Sequence, residues 1–169
     1  LGKMKQHNMP EIPVVEGEHL RGFIKMRALA KRRKIPLMAQ ARHFMVAPPS
    51  VRLKDKIIDA AEKLITRDYT IIPVTFNTVL KGLISRRDII HRMRDDPSLD
   101  GFSVETIMNF APLTVEPDDS VFKTLAQMEL HGESSAAVVD EKTRFLGLVT
   151  STSLARMMQY PAERQHKGS

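Results

Sequence analysis

The residues with the clearest capacity for chemistry are seven in a row: Gly82-Leu83-Ile84-Ser85-Arg86-Arg87-Asp88. The apolar pair reads as the end of a strand and the charged run as the start of a helix. That places a hydroxyl at the strand end and a carboxylate in the first helical turn. A carboxylate there can accept hydrogen bonds from both hydroxyls of a vicinal diol, as on a ribose, one to each oxygen. The helix start and the Ser85 hydroxyl can help to hold a phosphate, with Arg86 and Arg87 adding positive charge beside it. A plainer account uses the same residues: Ser85 caps the helix and Asp88 is an acid favoured by the helix dipole.

Two other stretches repeat the pattern with losses. Gly147-Leu148-Val149-Thr150-Ser151-Thr152-Ser153 keeps the hydroxyl but has Ser153 in place of the acid. Gly22-Phe23-Ile24-Lys25-Met26-Arg27-Ala28 has neither group, and reads as non-binding.

Little else in the chain suggests catalysis. There is no cysteine, which excludes disulfides, thiolate metal sites and cysteine nucleophiles. The six histidines are dispersed, none in a metal-ligand spacing, and the eight glycines form no phosphate-binding loop of the Walker type. The chain therefore reads as a non-enzyme that requires no cofactor. At 169 residues, 42% hydrophobic and 27% charged, it has the composition of a folded globular protein. No apolar run is long enough to span a bilayer and the start lacks a signal-peptide pattern, so a cytoplasmic location is the default expectation. The net charge of +6 suits an anionic partner. Its densest cluster, Lys31-Arg32-Arg33-Lys34, is what a solvated helix face also looks like. With two tyrosines and no tryptophan, the composition argues against a stacking platform for nucleic acid.

The elements that must position Ser85 and Asp88 come from a repeat. Met9-Pro10-Glu11-Ile12-Pro13-Val14-Val15 precedes Gly22; Tyr69-Thr70-Ile71-Ile72-Pro73-Val74-Thr75 precedes Gly82; Glu133-Ser134-Ser135-Ala136-Ala137-Val138-Val139 precedes Gly147. The first offset is 60 throughout, and the second is 64 rising to 65 across the hairpin. Each full copy reads as a short opening strand, a helix, two strands and a second helix, in the order β-α-β-β-α. Ile57, Ile58, Ala61, Leu64 and Ile65 predict one buried helical stripe, and Val121, Phe122, Leu125 and Met128 its counterpart. Asp118, after Pro117, is the expected N-cap of the later helix. Met93, Met128, Met157 and Met158 are expected as core fillers.

In these registered copies the chain resembles the cystathionine-β-synthase (CBS) domain family, whose units pair into a two-fold Bateman module. The resemblance implies an α/β (α+β) fold with one complete pseudo-two-fold pair and a partial further copy. Residues 1–42 would be the tail of a first copy with a linker, 43–96 a second copy, 97–160 a third, and 161–169 a basic tail. It also implies a regulatory role: sensing of AMP, ADP, ATP or S-adenosylmethionine in a cleft between paired units, in a homodimer or larger disc with a possible effector protein. By the same resemblance Ser85, Arg87 and Asp88 would meet the ribose. Thr114, Ser134, Ser135 and Ala136 of the other copy would meet the base. A weaker second site would use Thr150, Thr152 and Ser153 with Ser50, Thr70 and Ile71. The alternatives are a ligand-free interaction module and, further off, nucleic-acid binding through the basic surface. Every one of these hydroxyls can also serve turn or strand backbone.

Overall fold

The computed structural model describes residues 11–25, 38–99 and 101–153. Three antiparallel hairpins carry the repeat. They are β1 (Glu11–Glu16) with β2 (His19–Lys25), β3 (Ile71–Phe76) with β4 (Val79–Ser85), and β6 (Ser135–Val139) with β7 (Phe145–Thr150). Each bulges at the same place, between Val14 and Val15, Val74 and Thr75, Val138 and Val139. A repeat glycine faces each bulge: Gly22, Gly82 and Gly147. The strands are short, β-branched and bounded by polar turns, which is what makes them strands.

Helix α1 (Ile57–Thr66) precedes β3, α2 (Arg86–Asp95) follows β4, and α3 (Val121–Leu130) precedes β6. The opening strand of the third copy is β5 (Thr114–Val115), parallel to β6. Its counterpart in the second copy is a single parallel bridge, Val51 to Val74. A helix following β7 begins at residues 151–153. The basic run at 31–34, the tail after 160, His7, Met157 and Met158 lie outside the described residues.

The helices bury a narrower face than the sequence pattern suggests. Ile57, Ala60 and Leu64 of α1 are buried, while Ile58 and Ile65 are exposed. On α3, Val121, Thr124 and Met128 are buried and Phe122 is exposed. One helical stripe cannot hold both neighbours of an adjacent apolar pair, and the residue with the i, i+3, i+7 partners wins. Met128 fills core as expected; Met93 is exposed. The N-cap of α3 is Ser120, not Asp118: the Ser120 hydroxyl accepts the Lys123 N–H at 3.1 Å. Asp118 instead pairs with Arg42, and Asp119 folds the turn before the helix by accepting the Glu116 N–H at 3.0 Å.

The two cores are completed by exchange. The short 3₁₀ turn Ala41–His43 precedes the second copy, yet Ala41 and Phe44 pack in the third copy's core with Val121, Val138 and Val149. The matching turn Val104–Thr106 opens the third copy, yet Val104 and Met108 pack in the second copy's core with Ile57, Leu64 and Val74. The exchanged segments also satisfy helix ends. The Ile57 N–H donates to the Phe102 carbonyl at 3.1 Å, and the Val121 N–H to the Ala39 carbonyl at 2.8 Å. Both are N-terminal donors with no partner inside their own helix.

A third, smaller core lies between the copies, where Leu83 meets Ala137 and Leu148. The hairpin tips close it: the Leu80 N–H donates to the Thr143 carbonyl and the Phe145 N–H to the Thr78 carbonyl, both at 2.9 Å. The pair is thus held by strand faces, by strand tips and by exchanged segments.

Candidate ligand-binding clefts

Asp88 sits third in α2, where Ser85 caps it reciprocally. The Ser85 N–H donates to Asp88 Oδ2 at 2.8 Å and the Ser85 hydroxyl to the same oxygen at 2.6 Å. The Asp88 N–H returns a bond to Ser85 Oγ at 3.2 Å. The plain structural account of these residues is therefore realised as a capping box. It leaves chemistry over. Oδ2 is spent, but among the described residues Oδ1 accepts nothing, and a carboxylate oxygen can accept two hydrogen bonds. Asp88 is half-buried at the wall of a cleft of about 390 Å³ with Arg87, His91 and Thr106.

The neighbouring arginines divide. Arg86 turns away to cap the end of α1, donating to the Leu64 carbonyl at 2.8 Å, and so is not free for a phosphate. Arg87 is exposed beside Asp88. Arg92, one turn on, lies over the Phe102 ring at 3.9 Å and pairs with Asp96, so it serves the exchanged segment.

In the third copy the equivalent group is consumed. The Ser153 hydroxyl accepts the Thr150 N–H and donates to the Thr150 carbonyl, both at 2.9 Å, and Ser153 is 5% exposed. The Ser153 N–H donates to Thr150 Oγ1 at 2.9 Å. Serine reproduces the cap and nothing more.

Within each copy the start of the central strand lies beside its own motif. Ile71 pairs with Ser85, and the Thr70 carbonyl accepts the Arg86 N–H at 2.9 Å. Ser135 pairs with Thr150, and the Ser134 carbonyl accepts the Ser151 N–H at 3.1 Å. Ser135 and Ala136 are buried, Ser134 and Thr70 exposed, and Thr152 half-buried. The link between copies is the run that opens each unit. Asn109 exchanges two hydrogen bonds with Leu83 (2.8 and 3.0 Å), and four residues later the Leu113 carbonyl accepts the Ala137 N–H at 2.8 Å. Val46 likewise exchanges two bonds of 2.8 Å with Leu148, and Val51 then donates to the Pro73 carbonyl at 3.0 Å. The first run leads from the Asp88 motif to Ala137, and the second from the Ser153 motif to Pro73. Thr114 and Ser50, at the far ends of these runs, are exposed and line clefts of their own.

Sequence reasoning had no place for Asn109 or for the exchanged turns. The signal was the recurrence of Ala47-Pro48 and Ala111-Pro112 ahead of each copy. It also gave the motif glycine no role. A Cβ on Gly82 would lie 2.5 Å from the Asn109 carbonyl oxygen, so this glycine admits the opening run of the other copy. Among the described residues no helix is long and apolar enough to cross a membrane, and no group of three candidate ligands could hold a metal ion.

Two β-α-β-β-α units that exchange their opening turns and join by strand faces and hairpin tips define a paired-repeat module. The CBS domain family model matches residues 41–95 and 104–160, and the chain belongs to that family. Among solved structures it is similar to protein MJ1225 of Methanocaldococcus jannaschii, described as a putative archaeal homolog of g-AMPK. The identity is 19%, the TM-score 0.72, and the match covers 92% of this chain and 61% of that one. It is also similar to the CBS domain pair of protein MJ0100 in complex with 5′-methylthioadenosine and S-adenosyl-L-methionine. There the identity is 25%, the TM-score 0.63, and the cover 70% of this chain and 98% of that one. A third likeness, to a Pyrobaculum aerophilum CBS protein complexed with AMP, has 22% identity and a TM-score of 0.63, and covers 68% of this chain and 89% of that one. Among curated proteins, a homoserine O-acetyltransferase of Methanocorpusculum labreanum is 30% identical over 64% of this chain. The chain spans about a fifth of the length of such relatives, 22% in this case.

Proposed function

We propose that the chain is a regulatory module that binds one adenosyl ligand (AMP, ADP, ATP or S-adenosylmethionine) in the cleft carrying Asp88. The observation that carries this reading is the unspent Oδ1 of Asp88, against a Ser153 hydroxyl that is buried and already used. Ser85, Arg87 and Asp88 take the ribose and phosphate. Thr114, Ser134, Ser135 and Ala136 take the base, approached along the run from Asn109 to Leu113. Ser50, Thr70, Ile71, Thr150, Thr152 and Ser153 form the weaker second site. The adenosyl ligands named for two of the solved relatives support the ligand class. The module regulates rather than catalyses, and a homodimer or larger disc presents it to an effector.

Titration calorimetry with AMP, ATP and S-adenosylmethionine tests the assignment. Asp88→Ser is the informative variant, because Ser153 shows that serine sustains the cap at this position. A hydrogen bond to a charged group contributes about 1.5–3 kcal/mol, so the variant should bind roughly 10–150-fold more weakly. Ser153→Ala should change binding little, and a 2′-deoxy analogue should be disfavoured by the wild type but not by Asp88→Ser. Equal affinity of Asp88→Ser and wild type would overturn the site. No binding of any adenosyl ligand at millimolar concentration would leave the ligand-free interaction module.

A further inference from the structure

The opening strand and the central strand of the second copy run parallel on either side of α1, from Val51 and Val74. Their carboxyl ends open onto a second cleft, of about 880 Å³, at the opposite end of the sheet from Ser85 and Asp88. Crevices at the carboxyl ends of parallel strands are where open α/β sheets take ligands. This one is lined by Ser50, Arg52, Lys63, Phe76, Asn77 and Thr78 among others, with Phe145 of the third copy closing it.

The related cleft of the third copy shows what is particular here. Its parallel strands are paired at Val115 and Val138, so Arg52 corresponds to Glu116, Lys63 to Gln127, Phe76 to Asp140 and Asn77 to Glu141. The scaffold is the same, but one cleft is cationic with an aromatic rim and the other is acidic. In the cationic cleft Lys63 Nζ donates one bond, to the Ser50 carbonyl at 3.0 Å, which leaves two donors. The Arg52 guanidinium is exposed and has no partner among the described residues. The one acid among the lining residues, Asp55, is turned onto the Arg52 backbone N–H at 2.9 Å. Phe76 stands at the rim, 58% exposed. The two-residue turn beside it, Asn77-Thr78, has φ 48° and 71°, as a tight hairpin between β3 and β4 requires, and sets both residues in the cleft lining.

From this cleft we infer a second site, distinct from the Asp88 cleft, for a phosphorylated ligand with a flat ring, of the class of a nucleoside polyphosphate. Arg52 and Lys63 take the phosphates, the guanidinium fork matching two phosphate oxygens. Asn77 and Thr78 add neutral hydrogen bonds, and the Phe76 ring covers the flat group.

The test uses inorganic tripolyphosphate, which has no ribose for Asp88 to recognise, followed by titration calorimetry on the full chain. The wild type should bind one tripolyphosphate. Arg52→Glu and Lys63→Gln install the residues that the third copy carries at the same places; the first should weaken binding at least about tenfold and the second several-fold. In the Asp88→Ser background, Phe76→Ala should weaken ATP several-fold but not tripolyphosphate. Amide shifts of Asn77 and Thr78 on adding tripolyphosphate to the wild type report the site without any substitution. The inference is overturned if tripolyphosphate does not saturate, if Arg52→Glu binds it as the wild type does, or if those amides stay still. Loss of tripolyphosphate binding in Arg87→Gln, with Arg52→Glu binding as the wild type does, would move the anion to the Asp88 cleft and overturn it too. Failure of adenosyl binding at Asp88 alone would leave this second site standing.

Discussion

Gly82→Ala measures how much the joint between the copies contributes. The substituted methyl would sit 2.5 Å from the Asn109 carbonyl oxygen and 3.1 Å from the Met108 sulfur. The sulfur can swing aside; the carbonyl cannot, because Asn109 is tied to Leu83 by its own N–H (2.8 Å) and by that oxygen (3.0 Å). To reach an ordinary contact the opening run must retreat by most of an ångström, which breaks or stretches both bonds. Two backbone hydrogen bonds are worth about 1–3 kcal/mol net, and overpacking adds about 1–3 kcal/mol. Removing a glycine from the unfolded chain returns only about 0.4–1 kcal/mol. A net loss of about 1–5 kcal/mol follows from these terms. Gly147→Ala is the companion variant: its methyl would lie 2.8–2.9 Å from Met45 Cγ, Cβ and Sδ, and because Cβ is fixed to the backbone the run holding Val46 to Leu148 must also give. That variant should lose about 1–3 kcal/mol through overpacking. Urea denaturation of both variants, followed by far-UV circular dichroism, gives the two midpoints at constant m. If Gly82→Ala lies within about 0.5 kcal/mol of wild type, the close approach of Asn109 is not what the motif glycine serves.

Other outcomes follow from the same contacts. Val104→Ala truncates a fully buried exchanged side chain and should cost about 1.5–3 kcal/mol by thermal or urea unfolding, although Val104 lies outside the repeat unit it stabilises. Thr78→Gly should stabilise by about 0.5–1 kcal/mol in the same assay, because glycine accepts φ 71° without the left-handed penalty. The Asp140 carboxyl is held below the ordinary carboxylate range first by the Arg144 backbone N–H and then by the Arg144 side chain. Its contribution to stability is therefore present above the unfolded carboxylate pKa of about 3.9 and lost as pH falls through the lowered value. Carbon-detected NMR titration should find that midpoint low, and Arg144→Ala should return it only part of the way, since the backbone donor remains.

The hairpins and their order could be read from the sequence because each carries alternating β-branched residues, a polar turn and a glycine opposite a bulge, three times over. The motif could be read as either a cap or a ligand group. The structure explains the ambiguity: Asp88 spends Oδ2 on the cap and leaves Oδ1 without a partner among the described residues, so neither account excludes the other. The exchange of Ala41 and Val104 could not be read. Ala41 reads as linker and Val104 as the head of the third copy, both in three-residue turns without periodicity, and what buries each is the core of the other copy. The buried stripe of α1 was blurred for a different reason. Ile57-Ile58 and Leu64-Ile65 are adjacent apolar pairs, and spacing alone does not choose which member faces inward.

The two copies share a scaffold and differ where the scaffold meets solvent. Val51 matches Val115, Leu64 matches Met128, Val74 matches Val138 and Leu83 matches Leu148; all eight side chains are buried and apolar. Where a polar group enters this set, at Thr124 in place of Ala60, its hydroxyl is satisfied at once by the Ser120 carbonyl at 3.1 Å. The differences in chemistry fall elsewhere: Asp88 against Ser153, Arg52 against Glu116, Lys63 against Gln127. Each member of these pairs lines a cleft or occupies the start of a helix. Core positions are held to apolar residues of similar size because every volume change is felt by both copies through the exchanged turns and the shared Leu83–Ala137–Leu148 contact. Cleft positions carry no such constraint. A charge can be exchanged there without disturbing the pair, which is how a symmetric scaffold comes to present clefts of different charge.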